Sequence, residues 1–156
     1  MTLRLPLLVL ATVLLSVSGC DFEDFDGPYD GDPVMEFNQV NSAGPYTFDA
    51  SQGDTLVFQT NLIGDQFSSP KTLSFTVKDN STAVEGTHYR LPNGTQYELP
   101  ANSSFGNIEV IILDAGLAPG ARRLLLLELQ GATDGSIGAA ENLDDMTIRI
   151  NGPKAP

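Results

Sequence analysis

Side chains that build many catalytic and metal sites are scarce in this chain. Its 156 residues include one cysteine, one histidine and no tryptophan. A single cysteine excludes a disulfide within the monomer, and one cysteine with one histidine does not make a credible zinc site. A Ser-His-Asp triad would have to use His88, the only histidine. The residue inventory therefore argues against a Ser-His-Asp triad and against a zinc-dependent site.

Positive charge is scarce as well. The chain has 8 Lys and Arg against 20 Asp and Glu, which gives a formal net charge of −12. Such a chain repels phosphate backbones and anionic lipid surfaces, so we expect no nucleic-acid partner. The sequence also lacks a phosphate loop and a dinucleotide-binding fingerprint. We predict that the protein is not an enzyme and holds no cofactor.

The longest apolar run lies at the N-terminus and is too short to cross a membrane. It extends from Leu5 to Val17 after Arg4, whereas a spanning helix needs about 20 apolar residues. A basic residue, a short apolar run and then small residues are typical of a removable signal segment. The run leads into Val17-Ser18-Gly19-Cys20, which resembles the bacterial lipobox.

The lipobox resemblance implies a lipid anchor. Residues 1–19 would be a lipoprotein signal peptide, cleaved before Cys20, and Cys20 would carry the lipid. Several acyl chains on one residue anchor a protein stably, whereas one chain binds only marginally. We therefore expect lipid anchoring in the cell envelope.

Residues 20–33 are typical of a flexible acidic tether, because six acids alternate with glycine and proline and no base is present. A plain spacer is one interpretation. An acidic patch after a lipidated cysteine also resembles the surface-export signal of Bacteroidota lipoproteins, whereas aspartate there resembles the inner-membrane retention signal of enterobacteria. We favour the outer membrane and leave its surface and periplasmic faces open.

From residue 34 to residue 151 apolar and polar residues alternate. This period of two predicts short β-strands, and no segment carries a helix-length amphipathic stripe. About seven strands over 34–151 predict one all-β, antiparallel sandwich domain, followed by a tail at 152–156. The residues that share a face in each run are Leu56, Phe58, Thr60 and Leu62; Leu73, Phe75 and Val77; Ile108, Val110 and Ile112; and Met146, Ile148 and Ile150.

One segment, Ser81 to Tyr89, resembles the Thr-Ala-x-x-Gly-x-Asp-Tyr motif of Calx-β domains. Three further segments follow in the order found in that family, and the resemblance extends from about Thr55 to Ile150. It implies an immunoglobulin-like sandwich. Similar segments occur in Bacteroidota lipoprotein domains of unassigned function. The three segments are Tyr97–Asn102, Phe105–Asp114 and Leu124–Gln130.

Some Calx-β domains bind calcium through loop carboxylates, and this chain departs from their pattern. His88 and Ala115 stand where the family has aspartates. Because calcium takes about 6–8 oxygen ligands, we expect no metal site and no calcium cofactor. The acids that remain as weak candidates are Glu85, Asp114, Asp144 and Asp145.

Two further features concern partners. Glycan-binding surfaces favour exposed aromatic residues, and most aromatics here fall at core positions of strands, although Tyr97 and Phe105 flank a loop and are candidates for exposure. The strand Arg122–Gln130 carries leucine on both faces within Leu124–Leu129. One face can enter the core, and the other is either exposed to solvent or covered by the chain itself, a protein partner or a second copy.

The sequence favours a membrane-anchored, non-enzymatic lipoprotein whose sandwich is a structural or interaction module. The alternative is a ligand-binding module at the cell surface, for a glycan rather than for calcium.

Overall fold

The structure is a computed structural model that describes residues 29–38 and 47–154. The predicted signal peptide, Cys20 and the tether up to residue 28 lie outside the described residues, as does the end of the tail. In the described part, no helix is long and apolar enough to cross a membrane.

The described residues form two five-stranded sheets, which we call sheet A and sheet B. Sheet A has the strand order β5-β7-β3-β1-β9, and sheet B has the order β2-β10-β8-β4-β6. Their strands are β1 (Val34–Phe37), β2 (Thr47–Ser51), β3 (Thr55–Ile63), β4 (Lys71–Val77), β5 (Tyr89–Arg90), β6 (Gln96–Leu99), β7 (Phe105–Ile112), β8 (Arg122–Ala132), β9 (Gly138–Ala139) and β10 (Asp145–Asn151).

The predicted fold class is confirmed at the level of an all-β sandwich of two sheets. The predicted number of strands is wrong, because the described part has ten strands rather than about seven. The strands β5 and β9 have two residues each, too few for alternation to be visible in the sequence. Most pairs are antiparallel, but β1 pairs with β9, and β2 with β10, in parallel.

Alternation places the core where the sequence predicts it. On β3, Leu56, Phe58, Thr60 and Leu62 are each at most 9% exposed, and the residues between them face outward. Side chains from both sheets meet in one apolar cluster between them. Each fully buried large side chain contributes about 1.5–3 kcal/mol to stability, so this shared layer holds the two sheets together.

Candidate functional site

The only histidine of the chain stabilises a turn. The N–H of Val84 donates a hydrogen bond to Nδ1 of His88 over 3.0 Å, and the N–H of His88 donates to the carbonyl of Val84 over 2.8 Å. His88 is 9% exposed. The ring nitrogen that accepts this bond is engaged by the fold.

Two of the candidate calcium ligands lie near the end of β7. Glu85 forms a backbone bridge with Tyr89, and burial, followed by the Glu85 charge, raises the pKa of Tyr89. Asp114 follows β7 and is exposed; its Oδ1 accepts a hydrogen bond from the N–H of Gly116 over 3.2 Å. The Asp114 carboxylate therefore stabilises its own turn.

The other two candidates lie at the start of β10. Asp145 Oδ1 is 2.9 Å from Lys78 Nζ, and Glu128 Oε1 is 3.2 Å from the same atom. The hydrogen bonds that Lys78 Nζ donates to Asp145 and then to Glu128 raise the pKa of Lys78. Burial raises the pKa of Asp144, and the neighbouring negative charges act in the same direction.

The two pairs of acids lie at different ends of the sandwich. The loop after Asp114 reaches the end of β10, where the N–H of Gly120 donates to the carbonyl of Pro153 over 2.9 Å. Asp145 is at the opposite end of that strand, about 20 Å away along the backbone. Among the described residues, no group of three or more His, Cys, Asp or Glu is placed to hold a metal ion. The structure does not bring the four acids together.

The leucine-rich strand β8 lies in the middle of sheet B, between β10 and β4. Leu125, Leu127 and Leu129 point into the core and are at most 1% exposed, whereas Leu124 and Leu126 point outward and are half-buried. The segment after β4 continues the pairing, because N–H groups of Lys78 and Ala83 donate to the carbonyls of Leu126 and Leu124, each over 2.9 Å. A partner can reach only the outward side chains of Leu124 and Leu126.

The polar side chains on the outer face of sheet B are largely bonded to one another. Around Lys78, Gln130 Nε2 donates to Glu128 Oε2 over 3.1 Å in addition to the two ion pairs. At the other end of β10, Asn151 accepts from Arg122 Nε over 3.0 Å and donates to Asp49 over 3.1 Å. The fold therefore occupies these groups, whereas the exposed side chains of Gln96 and Glu98 on β6 have no partner among the described residues.

The outer face of sheet A also carries unpaired polar groups. The outward side chains of β3 and β7 form a band that we call the β3/β7 strip. Side chains of Gln59, Asn107 and Glu109 in this strip make no hydrogen bond or ion pair with any described residue, and Val57 and Phe105 are 62% and 52% exposed. The members of the strip are Thr55, Val57, Gln59, Asn61, Phe105, Asn107, Glu109 and Ile111.

The two aromatic residues considered for glycan binding have different environments. Tyr97 is 8% exposed, and burial raises its pKa to about 12. Its ring covers Gly106 so closely that a Cβ there would lie 2.9 Å from Cε2 of Tyr97. Phe105, in contrast, is on the surface. Only one of the two is available to a ligand.

Comparison with known proteins supports the fold and does not assign a family. No family model matches the chain, and no curated protein matches it. Among solved structures, Bacteroides thetaiotamicron EndoBT-3987 with Man5GlcNAc product is similar, with a TM-score of 0.51, 9% identity and 75% of this chain covered. The chain spans only 30% of the length of that protein.

A second solved structure is a non-cellulosomal cohesin from the hyperthermophilic archaeon Archaeoglobus fulgidus. Its TM-score is 0.29 and its identity is 13%, with 78% of this chain and 93% of the cohesin covered.

Proposed function

We propose that this protein is a non-enzymatic β-sandwich module, held on the cell envelope by lipid on Cys20 and acting through contacts made by its outer faces. The lipobox resemblance of Val17 to Cys20 supports the anchor. The acidic stretch at 20–33 supports a tether that separates the sandwich from the membrane. The outer membrane is the favoured location.

The observation that carries the non-enzymatic part of the proposal is the bond between Val84 and His88. General acid–base catalysis most often uses histidine, and this chain has one. That histidine is buried in a turn, where Nδ1 accepts a backbone hydrogen bond of 3.0 Å. A histidine bonded in this way has a structural role.

The anchor is tested by changing its attachment point. The full chain is expressed in a bacterium fed a labelled fatty acid, beside Cys20→Ala and the control Ser18→Ala, which keeps a small residue in the lipobox. We expect label in the wild type and in Ser18→Ala. Cys20→Ala should be unlabelled and either uncleaved or soluble. Normal cleavage of Cys20→Ala together with partitioning into detergent would contradict the anchor.

The second candidate function is ligand binding at the cell surface. The observation that favours it is the set of unpartnered side chains on the β3/β7 strip, beside the exposed ring of Phe105. Man5GlcNAc, the product present in the similar EndoBT-3987 structure, is a suitable first probe. Binding of this glycan without cleavage would support a ligand-binding module, and cleavage would contradict the non-enzymatic proposal.

A further inference from the structure

We propose that Asn93, in the turn between β5 and β6, is a site of spontaneous deamidation in the folded protein. The chain has two Asn-Gly pairs, Asn93-Gly94 and Asn151-Gly152, and the fold protects the second pair from the same reaction. Modification at Asn93 adds one negative charge to the formal net charge of −12. Water is the only co-reactant, so the modification does not depend on the lipid anchor.

Deamidation of an Asn-Gly pair proceeds in two steps. The backbone nitrogen of glycine attacks Cγ of the asparagine side chain; a C–N bond forms, and the side-chain nitrogen leaves as ammonia with the proton of the glycine N–H. Water then opens the resulting succinimide ring at one of its two carbonyls and leaves aspartate or isoaspartate. Glycine favours ring closure because it has no Cβ to crowd the attacking nitrogen.

The turn that contains Asn93 leaves the reacting groups accessible. Residues 92–95 are all exposed, and the side chain of Asn93 makes no hydrogen bond with any described residue. Beside it, the φ of Gly94 is +64°, and no atom lies within 4 Å of the place that a Cβ would take. Ring closure requires the asparagine to rotate until the glycine nitrogen reaches Cγ. The space around Gly94 permits that rotation.

The attacking nitrogen of Gly94 is held by one hydrogen bond. Its N–H donates to the carbonyl of Leu91 over 3.2 Å, which is at the long end of the usual range. Exposed turns open locally at a small fraction of the free energy of global unfolding. Buried Leu91 precedes the turn, and β6 begins after it at Gln96. The Gly94 nitrogen can therefore be released while the sheet stays intact.

The side chain of Asn151 is fixed at both of its polar atoms. Asn151 is the last residue of β10, and its Oδ1 accepts a hydrogen bond from Arg122 Nε over 3.0 Å. Its Nδ2 donates to Asp49 Oδ1 over 3.1 Å and to the carbonyl of Arg149 over 3.3 Å. Rotation of this side chain toward the next residue would break all three bonds.

The attacking nitrogen at the second pair is also held more tightly. The N–H of Gly152 donates to the carbonyl of Ala121 over 2.8 Å. A Cβ on Gly152 would lie 2.3 Å from the carbonyl oxygen of Ala118, so neighbouring backbone fills the space beside this glycine. Ring closure at Asn151 therefore requires the end of β10 to separate from its neighbours. The same dipeptide should react at two different rates in one folded chain.

The fold should tolerate the modified turn. The pairing of β6 with β4 begins at Gln96, opposite Ser74, so the extra backbone atom of isoaspartate at position 93 lies outside the ladder. A new carboxylate at an exposed loop tip displaces no described partner. We therefore expect the modified protein to remain folded.

The proposal is tested by following both asparagines in the purified full chain, in detergent. The protein is incubated in mildly alkaline buffer made with heavy-oxygen water, either native or in guanidinium chloride, and is then digested with trypsin in ordinary water. Cleavage after Arg90 and after Arg149 places the two Asn-Gly pairs on different peptides. Mass spectrometry with fragmentation measures the label at each asparagine. The label enters when water opens the ring, so deamidation during digestion is not counted.

In the native protein, Asn93 should take up label at least about tenfold faster than Asn151, because reaction at Asn151 waits for local opening. In guanidinium chloride the two rates should agree within about threefold, because no opening is needed. Asn93→Gln is the matched control: it keeps the amide, closes the ring far more slowly and should carry no label at position 93. Asn93→Asp should keep the melting temperature within about 4 °C of the wild type.

Three results would overturn the proposal. One is an unlabelled Asn93 in the native protein after a time in which the unfolded chain is labelled. Another is equal labelling of Asn93 and Asn151 in the native protein. The third is an Asn151 that stays slow in guanidinium chloride, because the difference would then come from the neighbouring residues and not from the fold.

Discussion

Gly131 in β8 is a position where one added methyl group should strongly destabilise the sandwich. Gly131 follows a β-bulge, because β8 pairs Gly131 with Ser74 but Leu129 with Phe75, which leaves Gln130 as the extra residue. Its φ is +80°, in the left-handed region. A Cβ at this position would lie 2.1 Å from the carbonyl oxygen of Ile137.

The cost of Gly131→Ala has two parts. The left-handed conformation costs a non-glycine residue about 1–2 kcal/mol. The Ile137 carbonyl would also have to retreat by about 1 Å to restore a normal contact, and forced repacking of this kind costs about 1–3 kcal/mol. That carbonyl accepts the Ala132 N–H over 2.8 Å, so a hydrogen bond weakens as well. We expect a total loss of about 3–5 kcal/mol.

Gly135 is the matched control, because its φ is +75° and no atom lies within 4 Å of the place that a Cβ would take. Gly135→Ala should therefore lose only the conformational cost of about 1–2 kcal/mol. Urea unfolding followed by circular dichroism gives both free energies, and unchanged m-values make them comparable. Thermal midpoints should fall by about 4–8 °C for Gly135→Ala and about 12–20 °C for Gly131→Ala. Equal losses in the two variants would refute the close contact at Gly131.

Three further predictions concern the leucine strand, the acids and calcium. Leu125→Asp should prevent folding, because Leu125 is 0% exposed and a charge there would be buried. Leu126→Asp should fold and should lose any self-association that light scattering detects in the wild type. Unfolding of both variants to the same extent would contradict this prediction. Asp144→Asn should stabilise the domain at pH 7 by less than about 1 kcal/mol. Because the folded-state pKa of Asp144 is raised, its charged form destabilises the fold, and this penalty disappears once the carboxyl is protonated. The gain from Asp144→Asn, measured by urea unfolding, should therefore vanish as the pH falls through the carboxyl range. A gain that does not depend on pH would contradict this explanation. Calcium should leave the melting temperature unchanged. At a real site, calcium at about 100 times its Kd would add about 2.7 kcal/mol to the free energy of unfolding. A rise in melting temperature that a chelator reverses would therefore show that a site exists.

The fold class could be predicted because alternation is a local property. Successive side chains of a strand point to opposite faces, so the sequence identifies Leu125 and Leu127 as one face of β8 and Leu124 and Leu126 as the other. The same pattern identifies the inward residues of β3. The lipid anchor on Cys20 also comes from the sequence alone, as a prediction that the described residues do not test.

The strand order could not be predicted, because it depends on contacts between distant residues. Thr47 pairs with Thr147 in the parallel contact of β2 with β10, and no local pattern records that pairing. Tyr97 and Phe105 flank the same loop and differ in exposure, since Tyr97 packs across to the opposite sheet against Gly106 while Phe105 faces outward.

The candidate site itself is decided by tertiary structure. Sequence alone shows Gln59, Asn107 and Glu109 as ordinary polar residues of two strands. Whether such groups are free depends on which side chains lie opposite and beside them, and only the assembled sheets determine that. The sheets bring Lys78 to Asp145 and Glu128 on one face, and they leave the amides and the carboxylate of the β3/β7 strip without a partner among the described residues.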